Sequence, residues 1–95
     1  MELSSKERAN LRSYSHHLKP VVIIGRDGLT SGALKSINNA LNSHELIKIR
    51  AKDHDHISVA KMVMDRTGCI MVGSIGNVII FFKQISNREK SKFTL

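Results

Sequence analysis

The chain of 95 residues contains one cysteine, Cys69, and one proline, Pro20. A single cysteine excludes an internal disulfide and is typical of a reducing compartment, so we expect a cytoplasmic protein. No apolar run approaches the length of a membrane span, and the first residues lack the apolar segment of a signal peptide. We therefore expect no association with a membrane.

Aromatic residues are also scarce. Tryptophan is absent, and Tyr14, Phe81, Phe82 and Phe93 are the whole aromatic set. Proteins that read long single strands of nucleic acid rely on series of exposed aromatic side chains. At least one of the two adjacent phenylalanines must face the core, so the composition disfavours extended single-strand reading.

Sequence signals for catalysis or metal binding are incomplete. The segment His44-Glu45-Leu46-Ile47-Lys48 begins like a zincin motif but has Lys48 where the second histidine is required. His54 and His56 lack the further Cys or His pair of a tetrahedral site. Cys69 has no nucleophile motif around it, and the acidic residues form no recognisable acid–base pair. We expect no enzyme activity, no metal or other cofactor, and no small-molecule substrate.

Acidic residues are few, and the charge balance is strongly basic. The chain has 15 Lys and Arg against 8 Asp and Glu, which gives a formal net charge of +7. Such a balance favours nucleic acid or another anionic surface as partner. The length predicts one domain, which we place at residues 1–84, followed by a basic tail over residues 85–95 that we expect to be flexible.

The hydrophobic pattern predicts the element order α-β-α-β-α-β-β. We expect a compact α/β sandwich in which the helices cover a four-stranded mixed sheet. The helices are predicted from a cap at Ser4 or Ser5 to about residue 17, from Thr30 to about residue 42, and from Asp53 or Asp55 to residue 67. The strands are predicted at residues 21–24, 46–52, 69–72 and 78–82.

Three of these elements carry expectations about burial. The apolar side of the first helix is predicted to hold Leu11, Tyr14 and Leu18. Residues 21–24 are four consecutive apolar, β-branched residues, which indicates a fully buried strand. In residues 46–52 the polar and apolar residues alternate, so we expect a half-buried strand with a cationic outer face.

The segment Gly25-Arg26-Asp27-Gly28 joins the first predicted strand to the helix capped by Thr30. Two glycines allow close approach of a ligand, and the following helix directs free N–H groups and its positive dipole end at the loop. Arg26 adds a planar cation, so the arrangement predicts a phosphate site. The Lys-Ser/Thr ending of a Walker loop and the third glycine of a dinucleotide motif are missing, which argues against a free nucleotide.

Four segments between about Leu3 and Lys83 resemble the CRM domain, the chloroplast RNA splicing and ribosome maturation module, whose free-standing bacterial form is the YhbY family. They are residues 18–30 (LKPVVIIGRDGLT), 40–49 (ALNSHELIKI), 67–68 (TG) and 72–83 (VGSIGNVIIFFK). The resemblance implies an RNA-binding domain with a KH-like GxxG loop and a fold like the C-terminal domain of a bacterial translation initiation factor. The chain departs from the family pattern at two positions. It has Asn77 where the family usually has Lys or Arg, and Phe82 where the family usually has Tyr.

Bacterial members of this family associate with precursors of the large ribosomal subunit. The resemblance therefore implies an assembly factor that binds ribosomal RNA. Since stacking aromatics are scarce, we expect this RNA to be structured. The missing motifs predict a non-catalytic protein, and nothing in the sequence requires more than a monomer. Two alternatives stay open, which are a module for an acidic protein partner and a regulatory RNA or DNA binder without a ribosomal role. The residues expected to contact RNA are Gly25, Arg26, Asp27, Gly28 and Thr30, extended by the basic residues Arg8, Arg12, Lys19, Lys35, Lys48 and Arg50.

Overall fold

The computed structural model describes residues 3–85, and their elements follow the predicted order. The sheet has the strand order β1-β2-β4-β3, in which β1 is parallel to β2 and the other pairs are antiparallel. This mixed sheet with three helices in the described residues confirms the predicted α/β class. The elements are α1 Ser5–Ser15, β1 Val22–Ile23, α2 Ser31–His44, β2 Leu46–Arg50, α3 His56–Thr67, β3 Ile70–Ile75 and β4 Val78–Phe82.

Side-chain caps fix where the helices begin. Ser4 and Glu7 form a capping box on α1, in which Ser4 Oγ accepts from the Glu7 N–H at 3.1 Å and Glu7 Oε1 accepts from the Ser4 N–H at 2.9 Å. Thr30 caps α2, and Asp55 caps α3. Gly68 ends α3 in the left-handed region, with φ of 78°.

The two faces of the sheet are covered by different helices. On one face α2 and α3 bury Ile37, Leu41 and Val63 against Ile49 and other alternate residues of the strands. On the opposite face α1 closes a second cluster. Since both faces of β4 are covered, its four residues from Ile79 onward are all fully buried. The second cluster consists of Leu11, Leu46, Val72, Ile80 and Phe82.

The prediction of a fully buried strand at residues 21–24 is wrong. Only Val22 and Ile23 pair with β2, and β1 is an edge strand. Ile24 is buried, whereas Val21 and Ile23 are 46% and 68% exposed. An apolar run of this kind does not show whether its strand lies at the centre or at the edge of the sheet. Because β1 lies at the edge, Val21 and Ile23 remain exposed.

The predicted apolar side of the first helix is only partly correct. Leu11 is buried, but Tyr14 is 62% exposed, and Leu18 is exposed and lies beyond the end of α1. The helix instead presents Leu11 and Ser15 to the sheet, one turn apart, and the buried Ser15 Oγ donates to the Arg12 carbonyl at 2.7 Å. Tyr14, Leu18 and Val21 line an apolar pocket of about 390 Å³.

Two predicted strands have different ends. β2 stops at Arg50. The expected alternation holds from Ile47 onward, since Ile47, Ile49 and Ala51 are buried and Arg50 is exposed. The expected open, cationic outer face is only partly correct, because α1 buries Leu46 and Lys48 is half-buried. β3 continues to Ile75 instead of ending at residue 72, since the residues before the turn still pair with β4. A bulge between Met71 and Gly73 interrupts this pairing.

Residues 83–85 follow β4 and bond to the buried residue Glu45. Glu45 accepts the Lys83 N–H on its carbonyl oxygen at 2.8 Å and the Ile85 N–H on Oε2 at 3.0 Å. The remainder of the predicted tail lies outside the described residues. Within residues 3–85, no helix has the length and apolarity required to cross a membrane.

Candidate nucleic-acid interface

Three connections meet at one end of the sheet. β1 and β2 are parallel and β4 runs against them, so the ends of β1 and β2 lie beside the start of β4. The connections are residues 25–30 after β1, residues 51–55 after β2, and the turn at Gly76 and Asn77. The Ala51 N–H donates to the Asn77 carbonyl at 2.7 Å and ties two of them together. We call this side of the molecule the loop end.

The segment Gly25–Gly28 forms a closed turn. The Gly28 N–H donates to the Gly25 carbonyl at 3.0 Å, which leaves Arg26 and Asp27 exposed at the tip. Gly28 has φ of 74°, a conformation that costs any L-residue about 1–2 kcal/mol. Gly25 has open space where a Cβ would lie. The two glycines therefore differ, since Gly28 is required by the backbone and Gly25 leaves room for a ligand.

The N-terminus of α2 follows this turn directly. The Thr30 N–H donates to the Gly28 carbonyl at 3.1 Å, and Thr30 Oγ1 accepts from the Ala33 N–H at 3.1 Å. The hydroxyl of Thr30 is thus engaged in capping. Ser31 and Gly32 are the first two residues of α2, so their N–H groups have no acceptor within the helix, and both residues are exposed. These two groups are the donors that α2 offers at the loop end.

His54 joins the loop from the connection after β2. Its Nε2 lies 2.9 Å from the Gly25 carbonyl, which only accepts, so Nε2 carries the proton and donates. A Cβ on Gly28 would lie 3.8 Å from the His54 Cε1 atom. The sequence pattern around His54 suggests a polar, helix-capping loop and gives no sign of this contact. It spans 29 residues and depends on the parallel pairing of β1 with β2, which no local pattern encodes.

A polar cleft of about 420 Å³ lies between these two connections. Two cations, Arg26 and Lys52, line it together with Asp53, and Asp27 is exposed at the tip of the adjacent turn. Arg26 makes no hydrogen bond or ion pair with any of the residues 3–85. Because carboxylates accompany the cations, the net charge of this cleft is small, and the groups at the loop end best suited to an anion are the directional N–H donors of α2 and Arg26.

The first-helix arginines lie away from the glycine turn. The Arg8 guanidinium donates to the Met71 carbonyl at 2.8 Å, which fastens α1 to β3. The aliphatic part of the Arg12 side chain packs against Gly73, and a Cβ added to Gly73 would lie 3.1 Å from the Arg12 Cδ. β3 and β1 are opposite edges of the sheet, separated by three strand spacings of about 5 Å each. The structure does not bring Arg8 and Arg12 together with the glycine turn.

The other predicted cations have distinct positions. Lys48 is half-buried and its Nζ donates to the Leu18 carbonyl at 3.2 Å. Lys19 is exposed in the connection after α1, and Lys35 is exposed in α2 near its N-terminus. Arg50 is exposed and pairs in register with Ile23, two residues before the turn. Among these four residues, Arg50 is the one that strand pairing places next to the loop end.

The hydrogen bonds and burial around Asp55 and Cys69 shift the pKa of each side chain. Asp55 accepts from Ser58 Oγ at 2.9 Å and from the Ile57 N–H at 3.1 Å, and these bonds lower the pKa of its carboxyl. Burial raises the pKa of the Cys69 thiol, so the thiol stays protonated at neutral pH. Residues 3–85 contain no cluster of three or more potential metal ligands.

Comparison with known proteins gives relatives along nearly the whole chain. The chain is 37% identical over 84 residues to a protein of Haemophilus influenzae named RNA-binding protein, covering 85% of each. It is 33% identical over 91 residues to a Bacillus subtilis protein named "Probable RNA-binding protein YqeI", covering 93% of this chain and 95% of that protein.

A solved structure and a family model complete the comparison. The solution structure of SAV1595 from Staphylococcus aureus has a TM-score of 0.80 and 24% identity, covering 98% of this chain and 100% of that one, so the two share a fold. The model of the CRS1/YhbY (CRM) domain matches residues 3–83. This match confirms the resemblance noted in the sequence, and the chain belongs to the CRS1/YhbY (CRM) domain family.

Proposed function

We propose that this protein is a non-catalytic RNA-binding protein that holds the RNA backbone at the loop end. One observation carries the proposal, which is the exposed Arg26 at the tip of a closed turn directly before the free N–H donors of α2. The names of the relatives support RNA as the polymer. The resemblance of the sequence implies ribosomal RNA in a large-subunit precursor, and we propose this RNA as the partner of a monomeric protein.

The geometry suggests a division of tasks within the turn. A phosphate in front of α2 would accept from the N–H groups of Ser31 and Gly32, which also present the positive end of the helix dipole. The Arg26 guanidinium would donate to the phosphate oxygens as a planar fork. The open space at Gly25 would let the RNA backbone approach closely, while Gly28 holds the turn in shape.

The variant Arg26→Glu tests the turn. We expect it to weaken binding to transcripts of large-subunit ribosomal RNA by at least about tenfold at fixed salt, because it replaces one phosphate contact by a repulsion. Its thermal unfolding midpoint should equal that of the wild type, since Arg26 has no partner within residues 3–85. The readout is fluorescence anisotropy with labelled RNA.

Arg66→Glu is the matched control. It makes the same charge change at an exposed arginine in the last turn of α3, away from the loop end. We expect its affinity to stay within about twofold of the wild type, because its long-range field is screened over a Debye length of about 10 Å. Equal losses for both variants would show that only net charge matters and would overturn the assignment to the turn.

The ribosomal partner needs a separate test. A tagged protein in cell extract should sediment with large-subunit precursors, and RNase treatment should release it. An association that survives RNase would identify a protein-held complex and favour the module for an acidic partner. Crosslinking in cells followed by sequencing would contradict the ribosomal role if the bound RNAs were not ribosomal.

A further inference from the structure

Four residues form a continuous row across the sheet at the loop end. Ile23 pairs with Arg50, Arg50 pairs with Val78, and Val78 pairs with Ile75. Residues that pair directly across strands point to the same face of the sheet. Arg50 is four residues after Leu46, so by strand alternation the row lies on the face that carries α1. We call these four residues the open row.

The open row is not covered by α1. Ile23 is 68% exposed and Ile75 is 55% exposed, whereas Ile80, two residues along β4 from Val78, is fully buried under α1. Ile75 adjoins the half-buried Val78, and Ile23 lies at the other end of the row beside Arg50, so aliphatic and cationic groups form one strip. Exposed apolar side chains that are grouped in this way, and not scattered, indicate a binding surface. With neighbouring strands about 4.8 Å apart, the row extends for about 14 Å.

The open row is continuous with the proposed RNA contact. Ile23 lies two residues before Gly25, and Ile75 directly precedes the Gly76-Asn77 turn of the same end. RNA held at the glycine turn would therefore lie within reach of the end of this row. No other described segment lies between Ile23 and the turn apart from Ile24, whose side chain is buried on the opposite side of the sheet.

The charge of this face favours an anionic occupant. The described strands β1 to β4 contain two cations, Lys48 and Arg50, and no Asp or Glu. Arg12, exposed and packed along Gly73, adds a third cation on the same face. Nucleotides match such a surface, because they combine a flat apolar base with a phosphate. Unpaired bases stack on Arg guanidinium planes, and Ile side chains are used as wedges against bases.

We infer that the open row is a second RNA contact, which packs against unpaired bases of the same RNA whose backbone the glycine turn holds. This inference rests on the proposed function, since it assigns the ligand class at the neighbouring surface. The protein then prefers a duplex with unpaired nucleotides beside it over an uninterrupted duplex. Arg50, at the centre of the row, stacks on a base and neutralises its phosphate.

The first test compares two RNA probes. One is an uninterrupted duplex of about 16 base pairs, and the other is the same duplex with a short unpaired adenosine extension. We expect the wild type to bind the extended duplex at least about fivefold more tightly, which is the lower end of the range for a base stacked on an aromatic side chain. Ile75→Ser should lose this preference and keep the affinity for the uninterrupted duplex. Met62→Ser, at a 45% exposed residue of α3, should retain the preference.

The same two probes separate failure of this inference from failure of the proposed function. Equal wild-type affinity for both probes, with Arg26→Glu weakening both, would overturn the open row and leave the turn in place. In a second outcome, Ile75→Ser abolishes the preference for the extended duplex, while Arg26→Glu leaves the affinity for both probes unchanged. This result would support the open row and overturn the role of the turn. A wild type that binds neither probe would overturn both.

Methyl NMR gives a second measurement that does not depend on a variant. On addition of the extended duplex, ring currents of the stacked bases should move the δ1-methyl signals of Ile23 and Ile75 upfield. The methyl signal of Ile57, which is 65% exposed in α3, should stay in place. Unmoved signals of both row residues at saturating RNA would overturn the inference.

Discussion

The face of the sheet that carries α1 has a closed half and an open half. In the closed half Leu46, Ile80 and Phe82 are 0–2% exposed beneath Leu11. In the open half Ile23 and Ile75 are more than half exposed, although they continue the same alternation along the strands. The strands are apolar in both halves, so the position of the helix decides which half meets water.

The same division separates the arginines. In the closed half the Arg8 guanidinium is bonded to the Met71 carbonyl and serves the packing of α1. At the loop end Arg26 and Arg50 are exposed. A guanidinium that has satisfied its donors on the protein has fewer left for a ligand. We conclude that Arg8 contributes to the packing of α1, whereas the guanidinium groups of Arg26 and Arg50 stay available for the proposed RNA contact.

The sharpest test of the division compares two isoleucines on neighbouring strands. We expect Ile80→Ala to lower the free energy of unfolding by about 2–5 kcal/mol, because it removes a fully buried side chain and leaves a cavity. Ile75→Ala should change it by less than about 0.5 kcal/mol. Urea unfolding followed by circular dichroism measures both values. Similar losses in the two variants would mean that the open half is covered in solution.

A pair of arginine variants gives a smaller effect. Arg8→Met should destabilise the protein by about 1.5–3 kcal/mol, the range for a hydrogen bond to a charged group, because its part-buried bond to β3 is lost. Arg50→Met should leave the unfolding free energy unchanged and weaken RNA binding. Unfolding and anisotropy titrations on both proteins check this. The opposite pattern, with Arg50 stabilising and Arg8 binding, would contradict our assignment of the two halves.

Much of the fold could be predicted because its signals are local. Ser4, Thr30 and Asp55 mark helix starts through bonds to residues two or three positions away, and Gly68 ends α3 through its own backbone angle. The alternation in β2 correctly predicts that Ile47 and Ile49 face the core. Such signals depend on a few neighbouring residues, so one sequence is sufficient to read them.

The remaining features depend on partners far away in the chain. The exposure of Ile23 follows from the edge position of β1, and the exposure of Tyr14 follows from how α1 crosses the sheet. The bond from Arg8 to Met71 spans 63 residues, and the contact of His54 with Gly25 spans 29. The sequence therefore predicts the turn at the candidate site but neither the histidine beside it nor the row across the sheet.

The two glycines of the turn allow a comparison within the loop end itself. We expect Gly28→Ala to cost about 1–2 kcal/mol of stability, since its φ of 74° is unfavourable for an L-residue. Gly25→Ala meets open space and should leave stability unchanged while it weakens RNA binding by obstructing the backbone. Thermal unfolding and anisotropy distinguish the two. A stable Gly28→Ala protein would show that the turn adopts another conformation in solution.

The smallest expected effect concerns the helix caps of the two regions. Glu7 caps α1 and Asp55 caps α3 at the loop end, and the hydrogen bonds of each cap lower the pKa of its carboxyl. A pKa that is lower in the folded than in the unfolded state stabilises the fold at pH values above the unfolded pKa. This contribution is lost as the pH falls through the folded pKa, below the ordinary values of 4.5 for Glu7 and 3.8 for Asp55.

Ser58→Ala tests the cap at the loop end alone. The hydroxyl of Ser58 is the largest cause of the low Asp55 pKa, so its removal should raise that pKa and leave Glu7 unchanged. NMR titration of the side-chain carboxyl carbons measures both groups in one sample. Asp55→Asn should keep the cap and abolish its acid dependence, because Asn caps helices as well as Asp. If Ser58→Ala shifted Glu7 as well, the caps of the closed half and the loop end would be coupled, and the division between the two regions would fail.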